Sequence, residues 1–185
     1  MDETARKILH IVFGIGIAAL VFCCGRDISL LILSVVLLTG LILSDAISRG
    51  HHIPLVSGIV AEVERPDVVP GKGALLFFVS SLVCLVLFPQ PVVIPAILAL
   101  AISDGISTIA GLRYGRTRIR NGKSIEGAFS GFAATGIVLL AVLPPVSAML
   151  AAAVASVVEI ISPVDDNLTV PVAVAIILTL LPTAP

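Results

Sequence analysis

The stretch Ser103-Asp104-Gly105-Ile106-Ser107-Thr108-Ile109-Ala110-Gly111 sets a carboxylate inside an apolar segment, and a basic loop follows at once. Arg113, Arg116, Arg118, Arg120 and Lys123 put five cations into eleven residues, punctuated by Gly115 and Gly122. An ionisable group at membrane depth is costly and marks function by default. Cations at that density suit a polyphosphate, and glycines let backbone N–H groups approach an anion. Asp104, Ser107, Thr108 and Gly111 recur at i, i+3, i+4 and i+7, which makes one polar, small-residue stripe on a helix. A hard cation such as Mg²⁺ takes a carboxylate together with phosphate oxygens and keeps some waters. The chemistry implied is a metal–phosphate site at the edge of a bilayer. The plainer reading of Asp104 is a buried ion pair with a loop arginine, which leaves four cations without a partner.

Other groups can join that site. Ser124 is placed to cap the helix that follows the loop, turning its positive end to the same point. Gly122-Lys123-Ser124 ends like a phosphate-binding P-loop, but Thr117 stands where that motif needs glycine and no strand precedes it. Arg6, Lys7 and His10 share one helix face near the start, either as a snorkelling anchor or as part of a site. A lone imidazole one turn into a membrane helix needs a partner. Glu159 and the run Asp165-Asp166-Asn167 either favour a helix dipole or hold a second cation and orient a base. His51 and His52 are adjacent and diverge on a helix, so they make a poor metal pair. Glu62 and Glu64 read as solvated charges on a stretch, 55–63, that suits a short amphipathic helix on the membrane surface.

Positioning these groups falls to membrane helices. The chain is 58% hydrophobic and 12% charged, with mean hydropathy +1.17. Seven apolar segments are expected to be transmembrane: Ile8–Cys24, Ile28–Ile47, Gly73–Phe88, Val92–Ile109, Gly127–Leu143, Ser147–Ile161 and the shorter Leu168–Leu181. No barrel-type alternation is present, so the fold expected is all-α, a single domain over residues 1–185. With the N-terminus cytoplasmic and seven spans alternating, 10 of the 11 Lys and Arg residues fall inside and only Arg26 outside. No soluble domain is expected at either end, and no cleaved signal peptide. Net charge −1 argues against a nucleic-acid partner. Cys23, Cys24 and Cys84 form no disulfide or metal pattern. Gly127-x-x-x-Gly131 is a face for close helix packing, and the glycine faces are able to support a homodimer.

Taken in order, Arg6-Lys7-x-x-His10, Ser103-Asp104-Gly105 with Gly111 and Gly115, Gly122-Lys123-Ser124-Ile125-Glu126-Gly127, and Glu159 with Asp165-Asp166-Asn167 closely resemble the dolichol kinase, phytol kinase and CTP-dependent diacylglycerol kinase family. That family is in turn similar to CDP-diacylglycerol synthases. The likeness runs from residue 6 to about residue 172 and is most specific over 104–127. It implies a polytopic enzyme that phosphorylates a lipid alcohol, of polyprenol, dolichol or phytol type or diacylglycerol, with CTP as donor and Mg²⁺ as cofactor. By the same resemblance Asp104 is a metal ligand, and Arg116 and Lys123 clamp phosphate. Arg6, Lys7 and His10 face the same pocket. Ser107, Gly111, Gly115, Gly122, Ser124 and Glu126 belong to the nucleotide-binding block. Asp165 and Asp166, with Glu159, are the candidates for base or second-metal ligand. The nearest rival is a cytidylyltransferase making a CDP-lipid. A small transporter is the distant one, disfavoured because the charges gather at one face instead of the midplane.

Overall fold

A computed structural model describes residues 3–54, 56–58, 68–119 and 122–181. It is helical, with α1 Glu3–Ser48, α2 Lys72–Leu87, α3 Gln90–Tyr114, α4 Ile125–Leu139, α5 Pro145–Ile161 and α6 Asp166–Leu180. Among the described residues there is no named strand, only an isolated bridge between Arg118 and Ser124. The helix starts follow from local chemistry. Proline opens α3 and α5, where its fixed φ fits and its missing N–H costs nothing. Ser124 caps α4, its Oγ accepting from Gly127 N at 3.0 Å, and the Asp165 side chain caps α6, accepting from Asn167 N at 3.2 Å. Most of 55–63 lies outside the described residues, as do Glu62, Glu64, Arg65 and Arg120; the described part, 56–58, is helical.

The long α1 is two helices joined at one residue. Gly25 takes φ 75° and ψ 178°, a conformation essentially closed to residues with a Cβ. Hydrogen bonds show that the chain reverses there. Lys7, near the start of α1, meets Asp104 near the end of α3. Val21 O accepts from Gln90 Nε2 at 2.9 Å, and Arg26 Nη2 donates to Val86 O at 2.7 Å. Ser44 Oγ then donates to Pro70 O at 2.7 Å, ahead of α2. Residues 3–24 therefore run away from the Asp104 end, and residues 26–48 run back to it. Each half is about 33 Å long at helical rise.

The alternation continues through the chain. Gly25, the turn at 88–89 and the turn at 140–144 lie at one end of the bundle, and the described residues 49–54, 68–71, 115–119, 122–124 and 162–165 lie at the other. Of the described Lys and Arg residues, only Arg26 belongs to the Gly25 end. α3 packs against every other helix, and α1 and α4 flank it without touching each other. Small residues allow this crowding. A Cβ on Gly14 would collide with Ala101 Cβ, and one on Gly131 would stand 2.9 Å from Ser103 O and from Ser107 Cβ. The Gly127/Gly131 face is thus buried against α3 within the chain, so it is not the surface for a dimer.

Two helices, α1 and α3, are long and apolar enough to cross a membrane; α2, α4, α5 and α6 are shorter apolar helices of 15 to 17 residues. In α1 only 11% of the most apolar stretch is buried, against 72% in α3. Ile8, Val12, Phe13, Phe22, Leu31 and Ile42 all stand exposed, while Ser80, Ser103, Asp104, Thr135 and Glu159 are buried. Apolar outside and polar inside is the arrangement that suits lipid as solvent and associates the chain with membrane.

Candidate functional site

The expected site residues come from five helices and the loop before α4, and the alternating bundle brings them to one end. Asp104 is 1% exposed and sits nearly three turns inside the end of α3. Lys7 Nζ, from the first turns of α1, donates to both its oxygens, at 2.6 and 2.5 Å. The partner of Asp104 is therefore Lys7, not a loop arginine. Behind the carboxylate lies His10, with Nε2 3.6 Å from Asp104 Oδ2 and its ring 4.7 Å from the Phe77 ring. That buried Nε2 makes no hydrogen bond.

A second knot forms around Glu159, in the last turn of α5. Its carboxylate accepts from Ser103 Oγ at 2.7 Å, from Ser107 Oγ and from Lys123 Nζ at 2.9 Å. Lys123 also donates to Asp166 Oδ2 at 2.8 Å, at the start of α6. Burial works against the Lys123 charge, but the Glu159 and Asp166 carboxylates beside it outweigh that and hold its pKa above the ordinary lysine value. One oxygen each of Asp104, Glu159 and Asp166 lie within 4.8 Å of one another.

These groups border a cavity of about 500 Å³, within the range of small-molecule and cofactor sites. Four cations line it, Arg6, Lys7, Arg118 and Lys123, and four carboxylates, Glu3, Asp104, Glu159 and Asp166. Ser107, Gly111, Gly122 and Ser124 complete the expected part of its wall. Lined this way, it can hold a multiply charged anion and a cation side by side, each facing charge of the opposite sign.

Five expected residues, Arg116, Glu126, Gly115, Asp165 and His10, stand off the cavity wall. Arg116 is exposed and off the cavity wall. Its backbone N–H and that of Thr117 donate to the Glu126 carboxylate, at 3.2 and 3.1 Å. These two loop amides thus already hold an anion, and Glu126 fastens the loop to α4. Gly115 is needed for packing, since a Cβ there would strike Gly111 O and stand 2.6 Å from Ser124 Oγ. Asp165 caps α6 and lies 3.9 Å from Lys72 Nζ, outside the cavity. Of the adjacent aspartates only Asp166 faces it. His10 touches Asp104 from behind and does not line the cavity.

Two contributors, Glu3 and Ser103, had no expected role, and a third, Arg118, was expected only as one of the loop's five cations. Arg118 lines the cavity while donating to Gly122 O at 2.9 Å. The chain bends at Thr117, so Arg116 and Arg118 part company. Glu3 lines the wall and pairs with Arg6; its place one turn before Arg6 was the available signal. Ser103 holds Glu159, a contact between residues 56 apart that no local pattern announces.

No protein-family model matches the chain, and no solved structure matches it. Over 184 residues it is 32% identical to the uncharacterized protein MJ1137 of Methanocaldococcus jannaschii, covering 96% of this chain and 93% of that protein. The chain belongs to the family of that protein.

Proposed function

We propose that the protein is a membrane-embedded lipid-alcohol kinase that takes its phosphoryl group from CTP with the help of Mg²⁺. The observation that carries this reading is the convergence of Lys7, Asp104, Lys123, Glu159 and Asp166, distant in sequence and singled out by the family resemblance, around one charged cavity at the end of an apolar bundle. CTP in place of another nucleotide rests on the resemblance alone.

The donor set fits the cofactor. Three carboxylates and no thiol or imidazole suit a hard divalent ion. One oxygen of each lies within 4.8 Å of the others, so the three groups can be drawn onto one ion by side-chain adjustment. Asp104, Glu159 and Asp166 would hold the ion, which would neutralise charge on the phosphates when bound. Lys7, Lys123, Arg6 and Arg118 bind the phosphate chain. The lipid hydroxyl oxygen attacks the terminal phosphorus, the bond from that phosphorus to CDP breaks, and the hydroxyl proton passes to a carboxylate on the cavity wall. Of the adjacent aspartates only Asp166 lines the cavity; Asp165 does not.

In the membrane, seven spans, two of them from α1, cross with the N-terminus and the site on the cytoplasmic side. The charge asymmetry between the two ends of the bundle supports that orientation. The test is a screen of lipid alcohols with purified protein, Mg²⁺ and CTP. Phosphorylation of at least one of them, lost on chelation of the metal, is the expected outcome. Release of pyrophosphate with formation of a CDP-lipid would make the protein a cytidylyltransferase instead.

A further inference from the structure

The cavity's charges neutralise one another without any ligand. Lys7 Nζ spans both oxygens of Asp104, and Lys123 Nζ bridges Glu159 and Asp166. These three carboxylates are the same groups that would hold the metal. Each lysine therefore stands where a cation would compete, and each carboxylate stands where a phosphate would compete. We propose that Lys7 and Lys123 act as latches, so that a divalent metal and a polyphosphate bind to this site only weakly alone and strongly together. The inference rests on the metal–polyphosphate reading of the cavity and adds its regulation.

Ligand binding at this site is an exchange of partners. A metal arriving alone must displace an ammonium from a buried carboxylate, and leaves that ammonium unpaired in a poorly solvated site. A polyphosphate arriving alone draws the lysines away, and leaves Asp104 and Glu159, 1% and 4% exposed, without countercharge. When both arrive, each lysine moves from carboxylate to phosphate and each carboxylate from lysine to metal, and nothing charged is left alone. The wall is equipped for the swap. Ser103 and Ser107 keep Glu159 in place after Lys123 leaves it. His10 Nε2, buried and without a hydrogen bond, faces Asp104 Oδ2 at 3.6 Å and can close on it once Lys7 departs. Because the coupling is a free energy shared by two ligands, it must appear equally in the affinity of each.

The experiment measures Mn²⁺ binding to the full chain in detergent or nanodiscs, by electron paramagnetic resonance, with and without inorganic tripolyphosphate at matched free Mn²⁺. For the unsubstituted protein, tripolyphosphate should tighten Mn²⁺ binding by about tenfold or more. Lys7→Met and Lys123→Met should each bind Mn²⁺ alone more tightly than the unsubstituted protein, since the competitor is gone, and should lose most of the gain from tripolyphosphate. Lys7→Arg should keep the latch and its weak metal binding. If the Met variants do not fold, Lys7→Gln and Lys123→Gln, which are also uncharged, take their place in the same comparison. Saturable Mn²⁺ binding that is equally tight with and without tripolyphosphate, and no tighter in the folded variants, would overturn the latch and leave the metal site standing. No saturable Mn²⁺ binding to any form, even with tripolyphosphate, would overturn the metal–polyphosphate reading itself and the latch with it.

Discussion

Asp104 has two jobs on this account, and they separate by substitution. It pairs with Lys7, and it is the most buried of the proposed metal ligands. Asp104→Asn keeps the size and loses the charge, so activity should fall below detection. Stability should fall too, because removing one partner of a buried pair commonly costs about 3–5 kcal/mol. Lys7→Met added to Asp104→Asn should restore much of the stability and none of the activity, as read by thermal melting and turnover on the same samples. A double variant that regains activity would reduce Asp104 to a structural role. Lys123→Ala should raise the KM for CTP, lower kcat, or both, with a combined loss of roughly ten- to a hundredfold, about 1.5–3 kcal/mol. Arg116→Ala, off the cavity wall, should leave CTP kinetics within a few-fold of the unsubstituted protein. Steady-state kinetics at fixed lipid compares them, and equal losses at Lys123 and Arg116 would contradict the placement. The raised pKa of Lys123 also fixes a sign. A group whose folded pKa is raised stabilises fully below its ordinary value, and that contribution is lost as pH rises through the folded value. The difference in melting temperature between the unsubstituted protein and Lys123→Met should therefore be flat from pH 6 to about pH 9 and shrink only above the ordinary lysine range, near pH 10.4.

At the scale of elements, glycines set how closely the helices approach α3. Gly14→Ala forces a methyl onto Ala101 Cβ, and α1 must shift. Overpacking of that kind costs about 1–3 kcal/mol. Gly16→Ala, two residues on and with nothing within 4 Å of the added Cβ, should be neutral or stabilising by up to about 1 kcal/mol. Melting temperatures of the two variants check the contrast, and a Gly16→Ala change as damaging as Gly14→Ala would mean that the packing against α3 is misassigned. Much of this level was legible beforehand. The apolar segments Gly73–Phe88 and Ser147–Ile161 match α2 and α5 to within two residues at each end. Charged residues at the site end made other segments look shorter than the helices are. α1 begins at Glu3 and α3 runs on to Tyr114 because their polar turns lie at the boundary, where hydropathy ends but the helix does not. The partners within the site were less legible. Spacing put Lys7 and His10 on one face and Asp104 on a polar stripe, but a contact across 97 residues depends on tertiary packing that no local periodicity encodes.

At the scale of the whole molecule, one end of the bundle carries the chemistry and nearly all the cations, and the other carries Gly25, Arg26 and two short turns. In a cysteine-free background, Arg116→Cys should react with a membrane-impermeant thiol reagent only from the cytoplasmic side, and Arg26→Cys only from the opposite side. Labelling of both from one side would break the proposed reversal at Gly25 across the membrane. The central claim is the direction of group transfer, and CTP labelled at either the α- or the γ-phosphorus measures it. With a lipid alcohol, Mg²⁺ and purified protein, label from the γ-phosphorus should appear in the lipid, and label from the α-phosphorus should remain in CDP. Label from the α-phosphorus in the lipid, with pyrophosphate released, would contradict the account.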